Sequence, residues 1–242
     1  MTGSAAVNVI RVSKSFGAPV IDEMSFTVAS GEAVGIVGPN GAGKTTLLNL
    51  VAGDLAPDAG RIELFGVDVT RSRPEARCRS GLARTAQIPR PFEGLTVFEN
   101  VLVGATFGTG FKGRVATAQA MDALDRAGMS SKANLIASGL GLLDRKRLEL
   151  ARALATGPQV LLLDEIAGGL TEAEVHELVT KIREIHAQGV TIVWIEHIVH
   201  ALLAVVERIM AMSFGRKIAE GDPRDVMASA AVREVYLGAV EE

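Results

Sequence analysis

The chain has 242 residues, of which 48% are hydrophobic and 22% charged, and its formal net charge is -3 at pH 7. Such usage is ordinary for a globular protein, and the length allows one sizeable core with at most one embedded subdomain. The slight negative charge provides no basic field for a nucleic-acid partner. No run approaches the ~18 consecutive apolar residues of a membrane-spanning helix, and the first residues lack the apolar core of a signal peptide. The single cysteine, Cys78, cannot form an internal disulfide, which fits a reducing compartment.

The first third of the chain favours strands around one buried helix. Residues 7–12 and 24–28 are rich in β-branched residues and predict two strands, with a turn at residues 17–19. Residues 32–37 predict a buried strand that runs into a glycine-rich loop, and the apolar stretch after the loop predicts a helix ending at Gly53. A strand, a short helix and a strand are expected next, over residues 61–65, 74–79 and 82–86.

The middle of the chain changes character. Residues 89–156 carry few strand signals, and their clearest patterns are helical, over residues 115–127 and 145–155. We therefore expect residues 89–156 to form a helical subdomain inserted into a core made of residues 1–88 and 157–242.

Alternating strands and helices resume after the insertion. Strands are predicted over residues 160–163, 190–195 and 208–214. Thr171 followed by Glu174 is a capping-box pattern, which predicts a helix that begins there and is closed by Gly189. Strands that alternate with helices imply a mostly parallel sheet covered on both faces.

The strongest motif lies between the predicted strand at residues 32–37 and the helix that follows it. It satisfies G-x-x-x-x-G-K-[ST], in the strand-to-helix context that a phosphate-binding loop requires. We call this segment the phosphate loop, and its residues are Gly38, Pro39, Asn40, Gly41, Ala42, Gly43, Lys44, Thr45 and Thr46. Glycines let backbone N–H groups surround phosphate oxygens, and the helix N-terminus adds partial positive charge. Lys44 is expected to reach the β- and γ-phosphates, and the Thr45 hydroxyl to bind Mg²⁺.

A second motif ends the strand at residues 160–163 with two carboxylates, Asp164 and Glu165. The carboxyl end of a parallel strand lies at the sheet edge where the phosphate loop is also expected. Asp164 there could hold Mg²⁺ through water, and Glu165 could orient or deprotonate an attacking water. An acidic pair after an apolar strand is common by itself, but together with the phosphate loop it becomes specific.

These motifs, with the segments AQIPRPFEGLTVFENV, RKRLELARALA, IEHIVHAL and GRKIAEGDPRDV, resemble the ATP-binding subunits of ABC transporters over nearly the whole chain. The IPRPF stretch and the VYLG ending resemble, less specifically, the importers of branched-chain amino acids. The resemblance implies a P-loop NTPase (RecA-like) fold with a mostly parallel α/β core, an N-terminal antiparallel β subdomain and an inserted helical subdomain. It implies ATP and Mg²⁺ as cofactors and ATP hydrolysis coupled to transport.

Three further roles come only from the resemblance. Phe16 falls where the family stacks an aromatic ring on adenine, although packing within the first strands would explain it equally well. Gln87 matches the glutamine that touches Mg²⁺ and links the site to the permease. His197 matches the switch histidine that contacts the γ-phosphate and the catalytic glutamate, and the other three histidines are expected to be solvated on helix faces.

One family motif is poorly matched. The signature near L-S-G-G-Q, which acts on the partner's ATP, aligns without gaps on Gly141, Leu142 and Leu143, so its serine and both glycines are missing. A rival alignment on residues 137–141 restores the serine but requires a three-residue insertion before the helix. The ungapped alignment keeps the helix register and is preferred. The mismatch suggests a heterodimer with one strong and one weak site.

The resemblance also implies the partners and the location. We expect a second ABC ATPase subunit, integral membrane permeases, indirectly a substrate-binding protein, and no nucleic acid, with the chain on the cytoplasmic face of the plasma membrane. Two alternatives stay open: a soluble ABC ATPase, which would not co-purify with a membrane protein, and a weakly catalytic regulatory subunit. A metabolic kinase with the same loop would not explain the helical insertion or His197.

Overall fold

The computed structural model describes residues 4–238 of the chain. Ten strands are found in that range: β1 Ala5–Phe16, β2 Ala18–Ala29, β3 Ala33–Val37, β4 Ala59–Leu64, β5 Val67–Asp68, β6 Leu82–Arg84, β7 Val160–Asp164, β8 Thr191–Ile195, β9 Arg208–Ser213 and β10 Arg216–Gly221. The α-helices in the same range are α1 Lys44–Ala52, α2 Pro74–Arg79, α3 Val97–Thr109, α4 Gly113–Arg126, α5 Leu142–Leu154, α6 Glu172–Ala187, α7 Val199–Leu203, α8 Pro223–Ala228 and α9 Ala230–Gly238.

The core is a six-stranded sheet in the order β10-β9-β3-β8-β7-β6. Its pairs are parallel except that of β10 with β9, which is antiparallel. Every residue of β3, β7 and β8 is buried, as expected for central strands covered on both faces. The carboxyl ends of these three strands lie at one edge, and the motifs found in the sequence follow them there.

A second, four-stranded antiparallel sheet has the order β2-β1-β4-β5. Its inner residues share one hydrophobic cluster with α1 and with one face of the core sheet. Helix α1 is therefore enclosed between two sheets, which explains why its sequence is apolar almost all round. Gly53 ends it in a left-handed conformation, as predicted.

Between β6 and β7 the chain forms α3, α4 and α5, whose buried residues belong to the other large hydrophobic cluster. Helix α4 presents the small residues Ala116, Ala120 and Ala123 to its neighbours, and all three are fully buried. Helix α3 begins with a capping box between Thr96 and Glu99. No helix within residues 4–238 combines the length and apolar character needed to cross a membrane.

The predicted fold class is confirmed, with corrections to its details. Strand β1 is longer than predicted, and the predicted turn at residues 17–19 shrinks to Gly17 alone because Phe16 pairs directly with Ala18. Helix α5 begins three residues earlier than predicted, because Gly141 takes an extended conformation as its N-cap. His186 is not solvated as predicted, since its Nε2 lies 2.9 Å from the Gly31 carbonyl oxygen.

Candidate functional site

The phosphate loop leaves the buried strand β3 and ends at the first turn of α1. Gly43 is the N-cap of α1 with φ 95°, a conformation that favours glycine, and it has no side chain to cap the helix. A Cβ added to Gly38 would lie 2.3 Å from the Met212 carbonyl oxygen, so this position also requires glycine. The uncapped N-terminus of α1 leaves backbone N–H groups for an anion, with Thr45 and Thr46 half-buried in the first turn.

Lys44 is buried and folds back over the loop. Its Nζ donates to the carbonyl oxygens of Gly38, at 2.7 Å, and Pro39, at 2.9 Å. Burial lowers the pKa of Lys44, and the nearby carboxylates of Glu165 and Asp164 oppose that shift. The fold therefore brings the loop lysine and the acidic pair to one site, as the two motifs predict.

Asp164 is the last residue of β7 and is completely buried. Its Oδ2 accepts a hydrogen bond from the Arg84 guanidinium at 2.6 Å, because β6 lies beside β7 in parallel register. Its Oδ1 is buried and has no hydrogen-bond partner among the described residues. A buried carboxylate oxygen without a partner is unfavourable, so it indicates a ligand that would occupy this position.

Glu165 follows β7 in a left-handed conformation, with φ 47°. Its Oε2 accepts from Gln87 Nε2 at 2.6 Å, and its Oε1 lies 2.8 Å from His197 Nε2. A non-glycine residue in this conformation stores strain of about 1–3 kcal/mol, which is typical of functional sites. The structure thus collects Gln87, Glu165 and His197 into one hydrogen-bonded group.

Two buried charged residues near this group were not found by sequence analysis. Glu196 accepts from the backbone N–H groups of Ala167 and His197, each at 3.0 Å, so it ties the turn after Glu165 to the histidine. Lys146 on α5 is buried, with Nζ 3.4 Å from the Glu165 carbonyl oxygen. Burial lowers the pKa of Lys146, opposed by Glu196 and Glu165. The signal in the sequence was a charge inside an otherwise apolar stretch, as with Glu196 at the end of β8.

Phe16 lies at the end of β1 and its side chain is 56% exposed, with Lys14 Nζ 5.5 Å from the ring centre. The ring therefore does not belong to the sheet core. It remains free to contact another molecule.

The segment aligned with the signature opens α5. The helix begins at Leu142 with Gly141 as an N-cap that makes no side-chain hydrogen bond. The serine of the rival alignment, Ser138, lies instead in a separate 3₁₀ turn over Ala137–Gly139. Leu142 is 43% exposed, and a Cβ added to Gly169 would lie 3.2 Å from it. Apolar bulk therefore occupies the surface where the family pattern has glycine.

Comparison with protein families gives two matches. Residues 21–168 match the family described as ABC transporter, and residues 216–242 match the family described as branched-chain amino acid ATP-binding cassette transporter.

Curated relatives match almost the full chain. A probable ABC transporter ATP-binding protein of Azorhizobium caulinodans is 35% identical over 98% of this chain and 84% of its own length. The Nod factor export ATP-binding protein I of Paraburkholderia xenovorans is 40% identical over 93% of this chain and 73% of its own length. The lipopolysaccharide export system ATP-binding protein LptB of Escherichia coli is 32% identical over 92% of both chains.

Solved structures also match almost the full chain. A nucleotide-free ATP-binding cassette from an ABC transporter superposes with a TM-score of 0.87 at 29% identity, covering 96% of this chain and 98% of its own. The ADP conformation of an ATP-binding cassette of an ABC transporter gives a TM-score of 0.88 at 29% identity, covering 97% and 99%.

Proposed function

The chain belongs to the ATP-binding subunits of ABC transporters, which makes it an ATPase, and we propose that it cleaves ATP at the group formed by Gln87, Glu165 and His197. The observation that supports this site is the pair of short contacts that hold the Glu165 carboxylate, from Gln87 at 2.6 Å and His197 at 2.8 Å. Both contacts lie beside the buried Lys44, and the Glu165 carboxylate opposes the lowering of the Lys44 pKa by burial.

The phosphate loop holds the triphosphate. Backbone N–H groups between Gly38 and Thr46 surround the phosphates, and the α1 N-terminus favours their negative charge. Lys44 exchanges its two carbonyl contacts, at 2.7 and 2.9 Å, for phosphate oxygens. A buried ammonium that gains an anionic partner loses much of its desolvation penalty, so nucleotide binding is favourable for Lys44.

The same site suits Mg²⁺. The unpartnered Oδ1 of Asp164 and the half-buried hydroxyl of Thr45 are oxygen ligands of the kind that Mg²⁺ prefers, and Gln87 supplies a third. No three His, Cys, Asp or Glu residues cluster as a metal site in the described part of the chain, so phosphate oxygens and water would complete the coordination. When bound, the ion neutralises charge on the β- and γ-phosphates.

Glu165 activates the attacking water. Its carboxylate orients the water in line with the γ-phosphate and accepts a proton as the water oxygen bonds to phosphorus and the bond to the ADP oxygen breaks. Gln87 and His197 fix the two carboxylate oxygens, so the acceptor is oriented before the substrate arrives. Lys44 and His197 then stabilise charge on the transferred phosphoryl group.

The test is the replacement Glu165→Gln, which keeps the shape and removes the acceptor. MgATP binding should persist, and phosphate release should fall by at least about 100-fold. Glu172→Gln, the same change at an exposed residue in the first turn of α6, is the control and should retain wild-type turnover. Turnover of Glu165→Gln within about twofold of the control would remove Glu165 from this role.

ATP-binding cassettes of this family work as dimers with membrane permease partners, and we propose a different cassette as the partner here. The support is the start of α5, where the signature would contact the partner's nucleotide. Leu142 is exposed there, and the N-cap residue Gly141 has no side chain that could cap the helix. The site that holds ATP on this chain would then be completed by the intact signature of the partner. A full-rate ATPase from the purified chain alone, unchanged by adding the second cassette, would contradict this pairing.

For the transported substrate, import of branched-chain or related amino acids is the first candidate, because residues 216–242 match the family of that description. Export of a glycolipid or lipo-oligosaccharide is the second, because relatives named for Nod factor and lipopolysaccharide export match most of the chain. Proteoliposomes containing the cassettes and their permeases distinguish the two. ATP-dependent uptake of labelled leucine supports import, and its absence together with ATPase stimulation by a glycolipid supports export.

A further inference from the structure

Two β-hairpins in the structure have a Phe-Gly pair as their two-residue turn. Phe65 and Gly66 join β4 to β5 with φ angles of 50° and 77°, and Phe214 and Gly215 join β9 to β10 with φ angles of 45° and 75°. Two-residue turns in which both residues have positive φ strongly favour Asn-Gly. Phenylalanine in this conformation is strained, because its Cβ crowds the backbone.

The two phenylalanines differ in what they contact. Phe65 is half-buried and packs against the hydrophobic cluster between the two sheets, so its packing offsets the strain. Phe214 is 91% exposed and gains almost nothing from its own chain. A bulky aromatic held in a strained, exposed position points to a contact outside the chain.

The turn of Phe214 lies directly against the phosphate loop. The Gly215 N–H donates to the Ala42 carbonyl oxygen at 3.1 Å, and the Gly215 carbonyl accepts from the Asp22 N–H at 3.1 Å. A Cβ added to Gly215 would lie 2.3 Å from the Val20 carbonyl oxygen, and one added to Gly43 would lie 2.7 Å from the same atom. The Val20 carbonyl therefore lies against both the phosphate loop and the turn.

Val20 lies on β2, and the hairpin of β1 and β2 has Phe16 at its tip. Phe16 pairs with Ala18, which comes two residues before Val20. Phe16 and Phe214 therefore lie on segments that meet at Val20, beside the start of α1. A nucleotide whose phosphates lie in the loop must direct its ribose and base out of it. Aromatic rings offer flat apolar faces on which a base can stack.

We propose that Phe214 contacts the nucleoside part of the bound nucleotide, as a second aromatic beside Phe16. The inference rests on the phosphate site proposed above, and it adds a residue on β9–β10 that no motif identifies. The strained turn orients the ring before binding, and the nucleoside covers it. Nucleotide binding then depends on the phenyl ring at this position, while phosphate binding does not.

The experiment compares three variants by calorimetry and thermal melting. Phe214→Asn should raise the melting temperature by about 2–4 °C, because Asn suits the turn, and should weaken MgADP binding by about tenfold. Its affinity for inorganic tripolyphosphate with Mg²⁺ should be unchanged. Phe214→Tyr keeps the ring and should bind MgADP as wild type does. The control Phe65→Asn should melt at a lower temperature and bind MgADP normally.

The outcomes separate this contact from the phosphate site itself. Unchanged MgADP affinity in Phe214→Asn would overturn the proposal, even where ATP-dependent association with a second cassette is weakened, since the ring would then face that partner. Equal losses of MgADP and tripolyphosphate affinity would also overturn it, because they indicate a distorted loop. Failure of wild-type protein to bind either ligand would count against the phosphate site and not only against Phe214.

Discussion

Replacing Arg84 by methionine removes the guanidinium that pairs with Asp164 and keeps an unbranched side chain of similar length. Asp164 is completely buried, and Arg84 at 2.6 Å is its ion-pair partner within residues 4–238. Arg84 also donates to the neutral Asn49 Oδ1 and contacts Asp54 at 2.9 Å, where the Asp54 side chain is 47% exposed and its charge can be solvated. The consequence of the change therefore depends on Asp164.

Breaking a buried ion pair by removing one partner typically costs about 3–5 kcal/mol, because the other charge is left without compensation. The loss at Asp164 should be near the lower end of this range, because the buried Lys44 ammonium still lies near the carboxylate. For a chain of this size, 3 kcal/mol corresponds to a fall in melting temperature of about 6–12 °C. Adding Asp164→Asn to Arg84→Met replaces the carboxylate that has lost its ion-pair partner with a neutral amide, so it should recover part of the lost stability.

Urea unfolding of the nucleotide-free protein at pH 7 measures these differences. The control is Arg11→Met, because the side chains of Arg11 and Glu23 are 72% and 63% exposed and a solvent-screened pair of this kind contributes little to stability. A loss in Arg84→Met no larger than in the control would refute the reasoning. So would an Arg84→Met/Asp164→Asn double variant less stable than Arg84→Met alone.

Two further predictions concern stability. Thr171→Ala removes the hydroxyl that accepts the Glu174 N–H in the capping box of α6, so it should lower the free energy of unfolding by about 1 kcal/mol in a denaturant titration, and an unchanged midpoint would contradict that role. Burial raises the pKa of Glu32, but hydrogen bonds from Arg208 and the Ala29 N–H outweigh it, so the net pKa lies below the ordinary value. Stabilisation by the Glu32 carboxylate is therefore present above its unfolded-state pKa of about 4.3 and is lost as the pH falls through the lower folded-state pKa. Melting curves from pH 7 to pH 3 should show wild type more stable than Glu32→Gln near neutrality and the two converging in acid, and a pH-independent difference would contradict this.

Local signals predicted the parts of the site that lie close in sequence. The phosphate loop is one continuous motif, and its glycines have the conformations that the motif requires, with Gly43 at φ 95°. Asp164 and Glu165 follow from a buried strand that ends in two carboxylates. Helix α2 has the predicted bounds because proline at its first position marks its start.

Residues whose importance depends on strand register could not be predicted. Arg84 pairs with Asp164 only because β6 lies beside β7, and nothing near it in sequence indicates that neighbour. Glu196 and Lys146 become significant only when α5 and the end of β8 meet beneath Glu165. The strain at Phe214 depends on a backbone conformation that a Phe-Gly pair in the sequence does not predict.

The contacts made by Lys44 and Phe16 also needed the structure. The motif predicts that Lys44 binds phosphate, and in the structure its ammonium donates to two carbonyl oxygens of the loop. The sequence left Phe16 open between packing and base stacking, and its 56% exposure removes the packing explanation. Both outcomes follow from tertiary burial, which one sequence cannot supply.

Isothermal titration of MgATP into the purified chain tests most directly the claim that the phosphate loop and the acidic pair form one nucleotide site. Saturable binding by wild type, weakened at least about tenfold in Lys44→Ala and retained in Glu165→Gln, is the predicted result. Equal affinity of wild type and Lys44→Ala, or no heat of binding to wild type, would contradict it.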